Sequence, residues 1–112
     1  MLMEDKEKLT VLYVDDEDIN QFIFIKSFEN IFRIITASTI ESALEIIENK
    51  SATLDAVVSD MSMPKMSGVD FIKLARELAS DLTYYILSSN TNNPEIKQAK
   101  KENLIRDSSD NH

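Results

Sequence analysis

The 112-residue sequence contains no cysteine and no tryptophan, and it has a single glycine. The absence of cysteine excludes disulfides, thiolate metal sites and cysteine nucleophiles, and it fits a reducing compartment. Long apolar runs are missing too, since no stretch approaches the roughly 20 residues of a membrane-spanning helix. The first residues, MLMEDKEK, lack the apolar core of a signal peptide. We therefore expect a cytoplasmic protein without a membrane partner.

Positive charge is also scarce. Twelve basic residues stand against 20 acidic ones, which gives a net charge of −8. Such a chain repels the phosphate backbone of nucleic acid unless a local basic patch exists. Only Lys97, Lys100 and Lys101 cluster, and a solvated helix face explains them. We predict no nucleic-acid partner.

What the sequence does contain is typical of one packed domain, with 43% hydrophobic and 29% charged residues. We expect a single domain over residues 1–112, with a core over 8–105 and a tail over 106–112 that can be disordered. Short apolar runs rich in β-formers predict strands, and helical periodicity fills the stretches between them. The predicted strands are Leu9 to Val14, Arg33 to Ala37, Leu54 to Ser59 and Thr83 to Leu87.

The helix boundaries follow from capping signals. Asp18 is the expected N-cap of the first helix, and Ser38 that of the second, with Glu41 completing a capping box. Asn93 before Pro94 has the form of an N-cap followed by the first helical residue of the last helix. Beyond this helix, 104–105 offer only the stub of a fifth strand.

Strands that alternate with helices predict an α/β fold with a parallel sheet and helices on both faces. Asp15 and Asp16 directly follow the first strand, Asp60 follows the third and Ser88 follows the fourth. In a flavodoxin-like, doubly wound sheet of order 2-1-3-4-5, ligands bind beyond the carboxyl ends of strands one and three. We therefore expect all four side chains at one edge of the sheet.

Three carboxylates in one cleft repel each other, so such a cluster persists most easily around a hard divalent cation. Mg²⁺ is the natural candidate, because it prefers carboxylates, waters and phosphate oxygens in octahedral geometry. An aspartate carboxylate can also act as a nucleophile and form an aspartyl phosphate. The residues alone therefore indicate a magnesium site that handles a phosphoryl group.

Three segments surround the expected site, namely LYVDDED (12–18), VVSDMSMPKMSG (57–68) and YYILSS (84–89). In this order they resemble the signatures of the receiver domain family of two-component response regulators. Pro64 and Gly68 occupy the family's proline and glycine positions in the loop after the third strand. The similarity extends roughly from Leu9 to Ala99.

The resemblance implies a role for each residue at the strand ends. Asp60 would be the phosphoacceptor, and Asp15 and Asp16 the acidic metal pair. Ser62 would offer its backbone carbonyl to the metal, and Ser88 would be the switch hydroxyl that moves toward the phosphoryl group. The implied cofactor is Mg²⁺, held by Asp15, Asp16, Asp60 and the Ser62 carbonyl.

The implied function is that of a receiver module in phosphorelay signal transduction. A histidine kinase or phosphotransfer protein would deliver the phosphoryl group to Asp60, and a downstream protein target would read the altered surface. The chain would be a phosphoacceptor and not an enzyme, although it can catalyse its own phosphorylation and dephosphorylation.

The sequence departs from the family pattern after its fourth helix. Receiver domains end with a fifth strand that carries a lysine followed by proline, and with a fifth helix; here both elements are truncated or absent. The place of the lysine, near Asn111, is not basic. A missing fifth helix would also uncover a sheet face beside Phe22, Phe24 and Phe28, so we expect the chain to self-associate through that face or to swap elements with a second copy.

Two other functions remain open. A degenerate receiver would keep the fold for docking or dimerisation without being phosphorylated. A haloacid-dehalogenase-like phosphatase would use Asp16 and Asp18 as nucleophile and acid/base, although such an enzyme ordinarily needs a longer chain.

Overall fold

The computed structural model describes residues 8–89 and 92–109, with side chains described as far as Arg106. Strands and helices alternate along it, as the hydrophobic pattern predicts. The strands are β1 Leu9–Val14, β2 Phe32–Ala37, β3 Ala56–Asp60, β4 Thr83–Leu87 and β5 Asp107–Ser109. The helices are α1 Asp18–Phe28, α2 Ile40–Lys50, α3 Gly68–Leu78 and α4 Pro94–Lys101, and a short 3-10 turn, Ser51–Thr53, follows α2.

All five strands are parallel and lie in the order β2-β1-β3-β4-β5. This confirms the predicted flavodoxin-like fold class. The fifth strand is short: it has three residues and pairs with the end of β4 through Tyr85, Ile86 and Leu87. It begins at Asp107, so the stub expected at 104–105 was placed too early. Within the described residues no helix follows β5.

The two faces of the sheet are covered unequally. The main core fills the space between the sheet and α2, α3 and α4, where Leu12, Val57 and Ile86 are fully buried. The opposite face carries a small cluster of Val11, Tyr13 and Phe24 under α1 alone. Among the described helices, none is long and apolar enough to cross a bilayer.

The helix starts agree with the capping prediction in one case of three. Asn93 caps α4, since its side chain accepts from the backbone N–H groups of Glu95 and Ile96. The second helix is capped by Thr39 and not by Ser38. The first helix has Glu17 at its N-cap instead of Asp18, without a side-chain cap hydrogen bond. Neighbouring polar residues compete for such positions, so a sequence places a cap only to within a residue or two.

Gly68, the only glycine of the chain, opens α3 where the helix meets the end of β3. Its backbone N–H donates to the carbonyl of Met61 at 2.7 Å. A Cβ atom at this position would overlap the backbone carbonyl oxygen of Asp60 and lie 2.9 Å from Cδ1 of Ile86. The glycine is therefore required by close approach of two backbone segments.

We expect Gly68→Ala to lower the free energy of unfolding by about 1–3 kcal/mol, the usual cost of overpacking. Alanine normally favours a helix over glycine by about 1 kcal/mol, so a loss of stability isolates the steric clash. Urea unfolding followed by circular dichroism measures the change. Unchanged or increased stability would show that α3 can move away from the Asp60 carbonyl at little cost in free energy.

Candidate functional site

Three aspartates meet at the carboxyl edge of the sheet. Asp15 and Asp16 follow β1, and Asp60 is the last residue of β3. Each offers a carboxylate oxygen, and these oxygens all lie within 4.8 Å of one another. Asp15 is buried, Asp60 is half-buried and Asp16 is exposed, so the cluster is open to solvent on one side.

Asp15 is the most enclosed of the three, with no exposed surface. Its Oδ1 accepts from the backbone N–H of Glu17 at 3.0 Å, and its Oδ2 accepts from the hydroxyl of Tyr13 at 2.7 Å. Its own backbone N–H donates to the carbonyl of Ala37 in β2 at 3.1 Å. A buried carboxylate needs such partners, because burial without hydrogen bonds costs several kcal/mol.

The surroundings of Asp60 shift the pKa of its carboxyl upward. Burial first, and then the negative charge of Asp15, raise its pKa from 3.8 to about 6. Hydrogen bonds from the backbone of Met61 and Ser62 act in the opposite direction, and the charge of Asp16 adds a smaller increase.

The loop after β3 is held from two sides. Ser62 and Ser67 form an antiparallel bridge across it. Ser67 caps α3 by accepting from Asp70, and its hydroxyl donates to Oε2 of Glu95 in α4 at 2.7 Å. The loop backbone, including the Ser62 carbonyl, is therefore fixed relative to both helices.

Ser88 comes directly after β4 and is buried, with 6% of its surface exposed. In the strand register, Asp60 pairs with Leu87, the residue before Ser88. The structure thus places Ser88 at the same edge of the sheet as the three aspartates, as its position after a parallel strand requires.

Lys65 lines a small cleft together with Asp16, whereas Arg106 lies at the other end of the sheet. Lys65, in the loop after β3, forms an ion pair with Glu41 of α2. Arg106 lines a cavity of about 260 Å³ at the opposite, amino-terminal end of β4, together with Arg76 and Leu82. The lysine position expected near Asn111 lies outside the described residues.

Sequence reasoning missed Tyr13, whose hydroxyl reaches the acidic cluster from the α1 face of the sheet. Burial, and then the hydrogen bond to Asp15, hold its pKa far above the ordinary value for tyrosine, so the hydroxyl stays protonated and donates. The signal was present in the sequence, because residues i and i+2 of an extended strand point to the same face.

Comparison with known proteins identifies the family. The family profile described as response regulator receiver domain matches residues 11–106. The hydrogenase transcriptional regulatory protein HoxA of Cupriavidus necator is 30% identical over 94 residues, which is 84% of this chain and 19% of that protein. Sensor kinase CckA of Brucella abortus is 31% identical over 80 residues, or 70% of this chain and 8% of that protein.

Solved structures agree with the fold. Chemotaxis protein CheY4 of Vibrio cholerae is 28% identical, with a TM-score of 0.75 over 90% of this chain and 84% of that one. A CheX–CheY–BeF3–Mg²⁺ complex from Borrelia burgdorferi contains a chain with a TM-score of 0.85 and 23% identity, over 99% of this chain and 84% of that one. The chain belongs to the response regulator receiver family. It spans about a fifth or less of the length of the two curated relatives above.

The raised pKa of Asp60 makes stability depend on pH with a definite sign. Between pH 3.8 and about 6 the folded state binds more protons at Asp60 than the unfolded state does, so stability falls as pH rises. Above about pH 6 the stabilising contribution of Asp60 protonation is fully lost. Without divalent cations, Asp60→Asn should therefore raise the free energy of unfolding by about 1 kcal/mol at neutral pH, a figure reduced for solvent screening.

The gain from Asp60→Asn should become small near pH 3.5, which lies below both pKa values, so that most of the carboxyl is protonated in both states. Asp81→Asn is the matched control, because Asp81 is an exposed carboxylate before β4, at the other end of the sheet. Thermal unfolding in a chelator at both pH values measures the difference. Equal effects of the two substitutions at neutral pH would contradict the crowding of charge around Asp60.

Proposed function

We propose that this receiver domain accepts a phosphoryl group on Asp60, with Mg²⁺ bound beside it, and signals through contacts with other proteins. The observation that carries the proposal is the meeting of Asp15, Asp16 and Asp60 at one edge of the sheet, with ligand oxygens within 4.8 Å of one another. Membership of the receiver family supports the same chemistry.

The three aspartates fit a magnesium ion. All offer hard oxygen donors, which Mg²⁺ prefers, and their mutual repulsion is the kind that a divalent cation relieves. Asp15, Asp16, Asp60 and the backbone carbonyl of Ser62 would hold the ion. When bound, Mg²⁺ would neutralise the carboxylates and the charge that develops on the transferring phosphoryl oxygens.

Asp60 supplies the nucleophile. One of its carboxylate oxygens attacks the phosphorus of a phosphohistidine on a kinase or phosphotransfer protein, and the new O–P bond gives an aspartyl phosphate. The N–P bond breaks, and its electron pair returns to the imidazole nitrogen of the donor. The reaction needs Asp60 ionised, which its pKa of about 6 permits at neutral pH.

Ser88 acts as the switch hydroxyl, since it follows β4 at the edge where the phosphoryl group would stand. Its movement toward that group would alter the surface formed by α4 and β5, which a downstream target reads. The module is a phosphoacceptor that contributes to its own phosphorylation and dephosphorylation. Because histidine kinases draw their phosphoryl groups from ATP, we place it in the cytoplasm.

Incubation with Mg²⁺ and acetyl phosphate, followed by intact-mass spectrometry, tests the proposal. The wild-type chain should gain one acid-stable, base-labile phosphoryl group, because acyl phosphates hydrolyse readily in base. Asp60→Asn should lose at least ~90% of it, since a single nucleophile carries the group. Removal of Mg²⁺ with a chelator should slow the reaction by at least tenfold, on the order of the contribution of a charge-neutralising metal.

The alternative functions give different results in the same experiment. Labelling of Asp16 in place of Asp60 would favour the phosphatase. No labelling, with the fold intact, would favour a degenerate receiver that docks without phosphorylation. Asp81→Asn, which changes an exposed aspartate at the other end of the sheet, should label like the wild type.

We propose in addition that a second copy of the chain covers the α1 face. A groove of about 360 Å³ lies there, and α1 presents apolar side chains to solvent, with Ile19, Phe22 and Ile23 exposed by 62, 57 and 55%. A ridge and a groove on one face can pair across a twofold axis, ridge to groove in both directions. The groove is lined by Leu9, Val11, Phe24, Phe28, Phe32, Ala56, Val58, Tyr85, Ile86 and Leu87.

Light scattering on a size-exclusion column measures the association. We expect twice the chain mass at high concentration, and the mass of a single chain for Phe22→Glu, because the apolar interface would have to desolvate the new carboxylate. Lys73→Glu, on the exposed side of α3, is the control and should stay dimeric. A single-chain mass for the wild type at every concentration would rule out the dimer.

A further inference from the structure

Tyr13 connects the acidic cluster to the α1 face of the sheet. Its side chain belongs to the α1 face, in one cluster with Val11 and Phe24, and 2% of its surface is exposed. From there the hydroxyl reaches the end of β1 and donates to Oδ2 of Asp15 at 2.7 Å, in a buried hydrogen bond. The two residues are two positions apart on an extended segment, which directs both side chains to one face.

The ring of Tyr13 is fixed independently of this hydrogen bond. It stacks on the ring of Phe24 with centroids 4.1 Å apart and planes 2° from parallel. Phe24 in turn contacts Phe28 at 4.9 Å between centroids. Because α1 and the sheet fix the ring, the hydroxyl is held in one position, beside Oδ2 of Asp15.

The hydrogen bond decides how the Asp15 carboxylate is oriented. Tyr13 donates to one oxygen and the backbone N–H of Glu17 to the other, so the two donors together fix the rotation of the group. Each carboxylate oxygen can accept about two hydrogen bonds or ligands, which leaves capacity on both for the cleft. A neutral donor of this kind orients the carboxylate without neutralising the charge that a cation requires.

We propose that Tyr13 is a positioning residue of the metal site, holding Asp15 in the orientation that binds a divalent cation. This inference rests on the proposed function. Hydrogen-bond partners of metal-ligating groups typically contribute 10- to 100-fold to metal affinity. A tyrosine whose hydroxyl merely needed a partner in the core would contribute to stability and nothing to the metal.

Tyr13→Phe separates these roles, because it keeps the ring stacked on Phe24 and removes only the hydroxyl. Tyr84→Phe is the matched control: the Tyr84 hydroxyl also donates a 2.7 Å hydrogen bond, to the carbonyl of Ala79, at the far end of the sheet. Mg²⁺ affinity is measured by competition with Mn²⁺, whose binding is followed by water-proton relaxation. Thermal unfolding in a chelator reports on stability without metal.

We expect Tyr13→Phe to weaken Mg²⁺ binding about tenfold or more, and Tyr84→Phe to bind Mg²⁺ like the wild type. Both variants should lose comparable stability in the chelator. Phe24→Leu, which loosens the ring but keeps the hydroxyl, should weaken Mg²⁺ binding by a smaller factor, and it carries the test if Tyr13→Phe does not fold.

Two negative outcomes are distinguishable. Equal Mg²⁺ affinity of Tyr13→Phe, Phe24→Leu and the wild type would overturn the positioning role and leave the metal site in place. A wild-type chain that does not bind Mg²⁺ at millimolar concentration would overturn the proposed function, and with it this inference.

Discussion

Parallel pairing of β1 with β3 forces three negative charges together, and the rest of the site is arranged around that constraint. Asp15, Asp16 and Asp60 follow or end neighbouring strands, and their carboxylate oxygens lie within 4.8 Å of one another. Asp15 accepts hydrogen bonds from two donors, and burial followed by the charge of Asp15 raises the pKa of Asp60. Under the proposed function, a divalent cation would neutralise this repulsion and the same edge would take the phosphoryl group.

Each side of the sheet contributes differently to this edge. On the side of the main core, Gly68 lets α3 approach the end of β3, and Ser67 ties the following loop to α4 through Glu95. On the α1 side, Tyr13 reaches through from a small aromatic cluster to Asp15. The loop after β3 is thus connected to α4, and Asp15 is connected to the face that carries the apolar groove.

The sequence predicted the grouping of the aspartates, because alternating strands and helices indicate a parallel sheet whose strands all end at one edge. The strand order followed from the flavodoxin-like pattern. It failed where neighbouring residues offer the same chemistry, as with Thr39, which caps α2 in place of the adjacent serine. The position of β5 was wrong for a related reason: its residues are polar, and it is held by backbone pairing to β4 rather than by an apolar pattern. The contact of Tyr13 with Asp15 was missed because β1 was interpreted only as an apolar, buried strand, and the hydroxyl of its tyrosine was not considered.

The central claim is that Asp60 is crowded by negative charge which a divalent cation relieves. Titration of the Asp60 carboxyl by ¹³C NMR, with and without Mg²⁺, tests it directly. We predict a pKa of about 6 in the metal-free protein, and a marked decrease when Mg²⁺ is added, because the cation favours the ionised form. An ordinary carboxyl pKa near ~4 that Mg²⁺ leaves unchanged would contradict the account.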